Sequence, residues 1–208
     1  MNPELVEKLE LSLPPGWHSQ LPESVLTTDA EKMRFVLQLG MWNISRHAGG
    51  PFSAAVFCRS THQLVSIGVN CVVPRSCSLA HAEAVALALA QQQLQTHDLT
   101  RAGSGDYELV ASGQPCVQCF GMVWWSGVTR LVIGARSADI EELTGFHEGP
   151  LPDRWPELLA DRPPLPAVTV VQDVCRDDAR ALLQSYTDSG GEIYSPGISQ
   201  RPPETNAD

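Results

Sequence analysis

The chain has 208 residues and a formal net charge of −10. Its length fits one domain with terminal extensions, and its 43% hydrophobic content excludes a largely disordered protein. Its lysines are Lys8 and Lys32 alone; because affinity for nucleic acid comes largely from Lys and Arg contacts to phosphate, we expect a small neutral substrate and no nucleic-acid partner. No apolar run approaches the ~18 residues of a membrane span, and no signal peptide is visible, so we expect no membrane association and a cytoplasmic location.

The first predicted elements are a helix and a β-hairpin that follow an irregular, Pro-rich extension over residues 1–28. Apolar residues at helical spacing predict the helix over Asp29 to His47, with Asp29 as its N-cap. Two apolar runs, Phe52 to Cys58 and Leu64 to Val69, flank a polar turn and predict the hairpin.

The rest of the chain alternates helices with strands. After a loop over Asn70 to Ser78, the predicted elements are a helix over Ala80 to Leu94, a strand over Tyr107 to Ser112, a helix from Pro115 to about Ser126, a strand over Arg130 to Gly134, a long mixed connection over Ser137 to Asp161, a strand over Val168 to Val171 and a helix over Arg176 to Ser189. This alternation favours parallel pairing with helices on both faces of a sheet. We therefore expect an α/β fold, a three-layer α/β/α sandwich around a mixed five-stranded sheet. The domain would span residues 29–189 and be followed by a C-terminal tail over residues 190–208.

One histidine and two cysteines have the spacing of a metal site. Cys116 and Cys119 are three residues apart at a predicted helix start, which puts both on one face, in a field that favours thiolate. His81 stands in the same relation to the preceding helix. Three protein ligands with an open fourth position are typical of a catalytic zinc, which lowers the pKa of its bound water. We predict one Zn²⁺ per chain, held by His81, Cys116 and Cys119.

A carboxylate near these ligands indicates the chemistry. Glu83 follows His81 by two residues and is suited to moving protons beside the metal, and the backbone at Ala82 is expected to contact substrate. The segments His81-Ala82-Glu83 and Pro115-Cys116-Val117-Gln118-Cys119 match the H-x-E…P-C-x-x-C signature of zinc nucleobase deaminases. The two cysteines alone would fit a thiol redox pair as well, and the His81 segment favours the deaminase.

With both segments in place, the chain resembles the cytidine deaminase-like superfamily over roughly residues 29–189. It is most similar there to bacterial guanine deaminases that also accept triazines such as ammeline. The resemblance implies a substrate contact at Asn70, an aromatic stretch that includes Trp124 and a second proton shuttle at Glu148. It also implies a swapped homodimer, in which the segment with Tyr194 closes the active site of the partner subunit. Gln114 departs from many relatives, which have Glu there, and we expect little effect on the chemistry.

Several of these residues have a second interpretation. Asn70 also fits a turn at a strand end, Glu148 a solvated loop acid, and Trp124 a core or dimer-interface aromatic. Phe52 is either a core side chain or a ring that stacks on the base. The predicted reaction is hydrolysis of guanine to xanthine and ammonia, with aminotriazines as further substrates. One alternative is a deaminase of another substrate, either a small base or nucleoside (cytosine, adenine, cytidine or a pterin) or adenosine in tRNA. The other is a catalytically inactive zinc-binding scaffold.

Overall fold

The computed structural model describes residues 7–103, 105–195 and 198–199. Five strands form its main sheet: β1 (Ser53–Cys58), β2 (Leu64–Val69), β3 (Tyr107–Gly113), β4 (Arg130–Ala135) and β5 (Thr169–Val171). Their order in the sheet is β2-β1-β3-β4-β5. β1 pairs antiparallel with β2 and with β3, whereas β3, β4 and β5 are parallel. The predicted hairpin and the predicted parallel fifth strand are both present.

Helices cover both faces of this sheet, which confirms the expected three-layer sandwich. They are α1 (Asp29–Ser45), α2 (Val72–Arg75), α3 (Ala82–Gln93), α4 (Val117–Ser126), α5 (Ser137–Thr144), α6 (Trp155–Ala160) and α7 (Arg176–Asp188). α1 and α7 pack on one face with α5 against α7, and α3 packs on the other face with α4 and α6. Short 3₁₀ turns lie at Trp17–Gln20 and Leu99–Arg101, and β6 (Tyr194–Ser195) pairs with β7 (Ile198–Ser199).

Alternation along β3 explains how one strand serves two cores. Val110 packs in the core under α1 and α7, whereas Leu109 and Ala111 pack in the core under α3. Successive side chains of a strand point to opposite faces, so a strand covered on both sides is apolar throughout. In the described part of the chain, no helix is both long and apolar enough to cross a membrane.

The start of α1 differs by one residue from the prediction. Thr28, not Asp29, is the N-cap: its hydroxyl accepts from the Glu31 N–H, and the Glu31 carboxylate accepts from the Thr28 N–H at 2.9 Å. This reciprocal pair is a capping box, which satisfies two N–H groups that the helix leaves unpaired. The hydrogen bonds from the Thr28 and Thr27 backbones lower the pKa of Glu31 to about 2.

A buried ion network fastens α1 to the sheet. Lys32 Nζ lies 2.6 Å from Glu108 Oε1, and Arg130 Nη1 lies 2.6 Å from Glu108 Oε2. Arg130 also donates through both of its terminal nitrogens to Asp29 at the first turn of α1. Lys32 and Glu108 are almost fully buried. Each buried charge therefore depends on its partner, and the network fixes the position of α1 over β3 and β4.

The segment before α1 lies on the domain. Leu11, Leu13 and Trp17 pack against the core under α1, and Arg75 donates to the carbonyl and the hydroxyl of Ser12. The division of the chain at residues 28 and 189 stays a prediction. The predicted tail is described only at residues 190–195 and 198–199.

Candidate metal centre and its cavity

The N-termini of α3 and α4 bring the predicted ligands together. His81 is the N-cap of α3 and Cys116 the N-cap of α4. The helix therefore starts at Val117, and the expectation that Pro115 begins it is wrong by two residues. Gly68 of β2 allows α3 to approach the strand, since a Cβ there would lie 2.1 Å from the Ala82 carbonyl oxygen. Both helix starts consequently meet at one edge of the sheet.

The three ligand atoms form a cluster of the size that zinc needs. His81 Nδ1 lies 3.5 Å from Cys116 Sγ and 3.5 Å from Cys119 Sγ, and all three atoms lie within 4.8 Å of one another. For a tetrahedral ion with bonds of about 2.0–2.1 Å to nitrogen and about 2.3 Å to sulfur, the N···S separation is roughly 3.5–3.6 Å. The side chains thus fit a zinc ion with one position left open.

A hydrogen bond links the thiols of Cys116 and Cys119. A hydrogen bond from Cys119 lowers the pKa of Cys116 to about 4, with a further contribution from His81. The same hydrogen bond, together with burial, raises the pKa of Cys119 well above its usual value. Metal binding requires thiolate ligands, so zinc affinity at this cluster is expected to depend on pH.

Two carboxyl groups lie beside this cluster. Glu83, 8% exposed, follows the ligand His81 in the first turn of α3, and burial and the charge of Cys116 raise its pKa. Glu148, 9% exposed, reaches the same cavity from another loop, and burial and the charge of Cys116 raise its pKa to about 8. The Glu148 carbonyl accepts from the Val117 N–H at 3.0 Å, which ties its loop to the start of α4.

A cavity of about 570 Å³ opens onto the cluster. Phe52 and Asn70 line it together with both carboxyls. The Phe52 ring meets Phe146 edge-on at 5.5 Å between centroids, and Phe146 stacks on Tyr186 at 6.2 Å. Among the described residues that line the cavity, none is Lys or Arg. The described lining residues therefore offer aromatic and polar contacts to a planar ligand and no Lys or Arg side chain for a phosphate.

The carboxamide of Asn70 has a fixed orientation. Its Oδ1 accepts from the Gly50 N–H at 3.4 Å and from the Val72 N–H at 3.3 Å. Only the oxygen end of a carboxamide can accept, so the Nδ2 end is the donor left for a ligand.

Comparison with known proteins identifies the family of this chain. Residues 27–135 match the cytidine and deoxycytidylate deaminase zinc-binding region, which spans more than half of the chain. The chain belongs to the cytidine and deoxycytidylate deaminase family. It is therefore a zinc-dependent hydrolytic deaminase, and zinc is the metal that the cluster of His81, Cys116 and Cys119 fits.

Solved structures similar to this chain include guanine deaminase. That of the guanine deaminase from Nitrosomonas europaea is 45% identical, covers 88% of this chain and 98% of its own, and gives a TM-score of 0.81. A structure of NE0047 in complex with 2,6-diaminopurine is 45% identical, covers 91% of this chain and 97% of its own, and gives a TM-score of 0.80.

One similar curated protein is the tRNA-specific adenosine deaminase of Buchnera aphidicola subsp. Schizaphis graminum. It is 31% identical over 80 residues, which are 38% of this chain and 50% of that protein. The match thus spans about half of the length of that relative.

The structure does not bring every predicted substrate contact to the cavity. Trp124 packs in the core under α3, with Arg162 over its ring at 5.3 Å, and is not among the lining residues. The Ala82 side chain is buried in the same core, so only its backbone, between His81 and Glu83, lies near the cluster. Tyr194 belongs to β6, but its side chain lies outside the described residues.

Other lining residues were not predicted. Gln114, noted only as a departure from relatives, lines the cavity, and its Oε1 accepts from the Ser137 N–H at 3.2 Å. Its position directly before Pro115-Cys116 was the one available signal. His47 also lines the cavity and belongs to no motif in the sequence, whereas Phe146, which lines it too, belongs to the segment that was singled out for Glu148.

Proposed function

We propose that the chain deaminates a free purine base, with guanine and water giving xanthine and ammonia. The observation that carries this proposal is a cavity that holds a three-ligand cluster and two buried carboxyls, with no Lys or Arg among its described lining residues. Such a cavity suits a neutral base better than a nucleotide, because a phosphate would need a cation. The likeness to the guanine deaminase from Nitrosomonas europaea supports guanine within that class.

The proposed catalytic roles belong to the ligand cluster and Glu83. Zinc held by His81, Cys116 and Cys119 would supply a Lewis acid and would lower the pKa of a bound water molecule. Glu83 takes one proton from the attacking water and delivers it to the ring nitrogen beside the attacked carbon. It then carries the second proton of that water to the exocyclic amine, so that the C–N bond breaks and ammonia leaves as the carbonyl forms.

The remaining lining residues hold the base. Phe52 offers the face of its ring to the purine, and the Asn70 Nδ2 donates to an acceptor atom of the base. Glu148 is a second carboxyl for proton transfer at the purine, and its loop is tied to the start of α4. Backbone N–H groups at Ala82 and in the first turn of α4 can hydrogen-bond the oxygen that develops charge.

The chain further offers a surface for a homodimer. Val117 and Trp125 on α4 are 49% and 74% exposed, and a side chain added at Gly121 would meet nothing within 4 Å. These three positions recur at four-residue spacing along one side of the helix, and a second copy would remove their apolar surface from water. The C-terminal segment lines the cavity through Gly191 and Ser195.

We also place the protein in the cytoplasm. Cys71, Cys77, Cys116, Cys119 and Cys175 form no disulfide, which fits a reducing compartment.

A substrate panel tests the proposal. The zinc-loaded protein is assayed for ammonia release from guanine, adenine, cytosine, their nucleosides, deoxycytidylate and ammeline. We expect the highest kcat/KM with guanine, lower turnover with the aminotriazine, and none with the phosphate-bearing substrate. A higher kcat/KM for cytidine or deoxycytidylate than for guanine would contradict the assignment.

The partial match to a tRNA-specific adenosine deaminase makes tRNA the second candidate substrate. The acidic, lysine-poor chain argues against it, since RNA affinity depends on cationic contacts to phosphate. A gel shift with tRNA at physiological salt tests this, and we expect no retarded band. Tight, salt-sensitive binding would favour the tRNA substrate instead.

A further inference from the structure

We propose that Asn43, a fully buried residue of α1 that does not line the cavity, is a positioning residue that sets Asn70 for substrate binding. This inference rests on the proposed function, in which Asn70 contacts the base. It concerns a residue in the last turns of α1, remote in sequence from the zinc-binding segments.

Asn43 clamps two residues that line the cavity. Its Nδ2 donates to the carbonyl oxygen of Gly50 and to that of Asn70, each at 3.0 Å. Gly50 and Asn70 both line the cavity, whereas Asn43 has no exposed surface. Because both partners are carbonyl oxygens, the NH₂ end of Asn43 must face them. One side chain thus joins the end of α1 to the two loops that border the base site.

The two hydrogen bonds from Asn43 complete a ring of contacts around Asn70. The Gly50 N–H donates to Asn70 Oδ1, while the Gly50 carbonyl accepts from Asn43. Gly49 brings its backbone against the Asn70 carbonyl so closely that a Cβ would lie 1.8 Å from the oxygen. Asn43 therefore holds the backbone of Asn70 while Gly50 and Val72 orient its carboxamide. Movement of either loop would turn the free Nδ2 of Asn70 away from the base.

The other end of the Asn43 side chain indicates what the residue is for. Its Oδ1 is buried and has no hydrogen-bond partner among the described residues. A buried acceptor without a partner is unfavourable, and an apolar side chain of similar size would avoid that cost. Such a side chain would lack the two N–H donors. Asn43 is thus explained by its two donors and not by packing alone.

A double-mutant cycle tests this role. Asn43→Leu is made in the full-length zinc-loaded protein and in the Asn70→Ala background, and KM and kcat for guanine are measured in all four proteins. We expect Asn43→Leu alone to raise KM about 10-fold with a smaller change in kcat, and to change KM less than about 2-fold when Asn70 is already Ala. Asn43→Ala replaces Asn43→Leu in the cycle if the leucine variant does not fold.

Ser53→Ala is the matched control. Ser53 is also buried and also bonds to α1, through its hydroxyl to the Val36 carbonyl at 2.6 Å, but it does not line the cavity. We expect this variant to lower the melting temperature and leave KM within about 2-fold of the unmutated protein, because it removes a structural bond alone. A KM rise in Ser53→Ala as large as that in Asn43→Leu would overturn the positioning role.

The outcomes separate this inference from the proposed function. Additive effects of Asn43→Leu and Asn70→Ala on KM, in a protein that deaminates guanine, would overturn the inference alone. If the unmutated protein neither deaminates guanine nor binds 8-azaguanine or 2,6-diaminopurine in calorimetry, the proposed function fails and the inference fails with it.

Discussion

His81 and Cys116 occupy equivalent positions, each as the N-cap of a helix that starts at one edge of the sheet. An N-cap residue has extended backbone, so its side chain lies beside the helix start and not along the helix. Cys119, in the first turn of α4, completes the cluster from within the same helix. The candidate zinc ligands are thus positioned by two helix starts rather than by flexible loops.

Removal of one thiol should empty the metal site. We expect Cys119→Ser to lose most of its zinc on dialysis and to lose deaminase activity, because a catalytic zinc with three protein ligands has no spare one. Zinc content per chain is measured by atomic absorption. The control is Cys175→Ser, a free, partly buried cysteine outside the cluster, which should keep one zinc. Full zinc in the Cys119 variant would contradict the ligand assignment.

At the scale of residues, the sequence predicts the arrangement of side chains that are close along the chain. It does not predict the arrangement of side chains that only folding brings together. The spacing of Cys116 and Cys119 carries its own geometry, because both belong to one helix turn. Asn43 and Asn70 are 27 positions apart, and their hydrogen bond depends on how α1 packs against the strand ends. Trp124 is a different case, because the resemblance predicted that it contacts the substrate. In the structure its ring faces Arg162 instead.

Elements in this fold are joined by charges as well as by apolar packing. Glu108 in β3 accepts from Lys32 of α1 on one oxygen and from Arg130 of β4 on the other. Helix and strand types were predictable, because the apolar spacing of α1 and the alternation of β3 are local patterns. The ion network was not, since its members come from three elements and show no motif.

Loss of the Glu108 charge should destabilise the protein. Glu108→Gln leaves the Lys32 ammonium buried without a counter-charge, and we expect it to lower the free energy of unfolding by about 3 kcal/mol. Urea unfolding followed by circular dichroism measures this. The matched control is Glu157→Gln, which breaks an exposed pair with Arg154 and should leave the unfolding midpoint unchanged. Equal midpoints for the two variants would count against the buried network as a stabilising contact.

The capping box of α1 should give stability a specific pH dependence. The pKa of Glu31 is lowered from 4.5 to about 2 in the folded protein. A lowered carboxyl pKa stabilises the fold above the unfolded pKa, and the contribution is lost as pH falls through the folded pKa. We expect Glu31→Gln to reduce stability at pH 6 and to flatten its decline between about pH 4.5 and 2. Thermal melts across this range measure it, and parallel curves for both proteins would contradict the capping role.

On the whole-molecule scale, the layer order was predictable because βα alternation leaves few arrangements, whereas the surface available for association was not. A predicted apolar helix does not reveal which of its sides the fold leaves uncovered. The structure leaves Trp125 of α4 exposed, and this is the surface that we assign to a second copy.

Disruption of that surface should separate the subunits. Trp125→Glu places a charge on the exposed side of α4, and we expect sedimentation analysis to give a dimer for the unmutated protein and a monomer for the variant, with zinc retained in both. Val25→Glu, at another exposed apolar residue, is the control and should remain dimeric. A dimer that survives Trp125→Glu would place the interface elsewhere.

The central claim is that this chain uses Glu83, beside a zinc held by His81, Cys116 and Cys119, to deaminate guanine. Its most direct test is xanthine formation from guanine, followed by chromatography, with the zinc-loaded protein and its Glu83→Gln variant. We predict xanthine and ammonia in equal amounts from the unmutated protein, and a rate lower by about 10²–10⁴-fold in the variant with zinc content unchanged. Xanthine formation at an undiminished rate by zinc-loaded Glu83→Gln, or none by the unmutated protein, would contradict it.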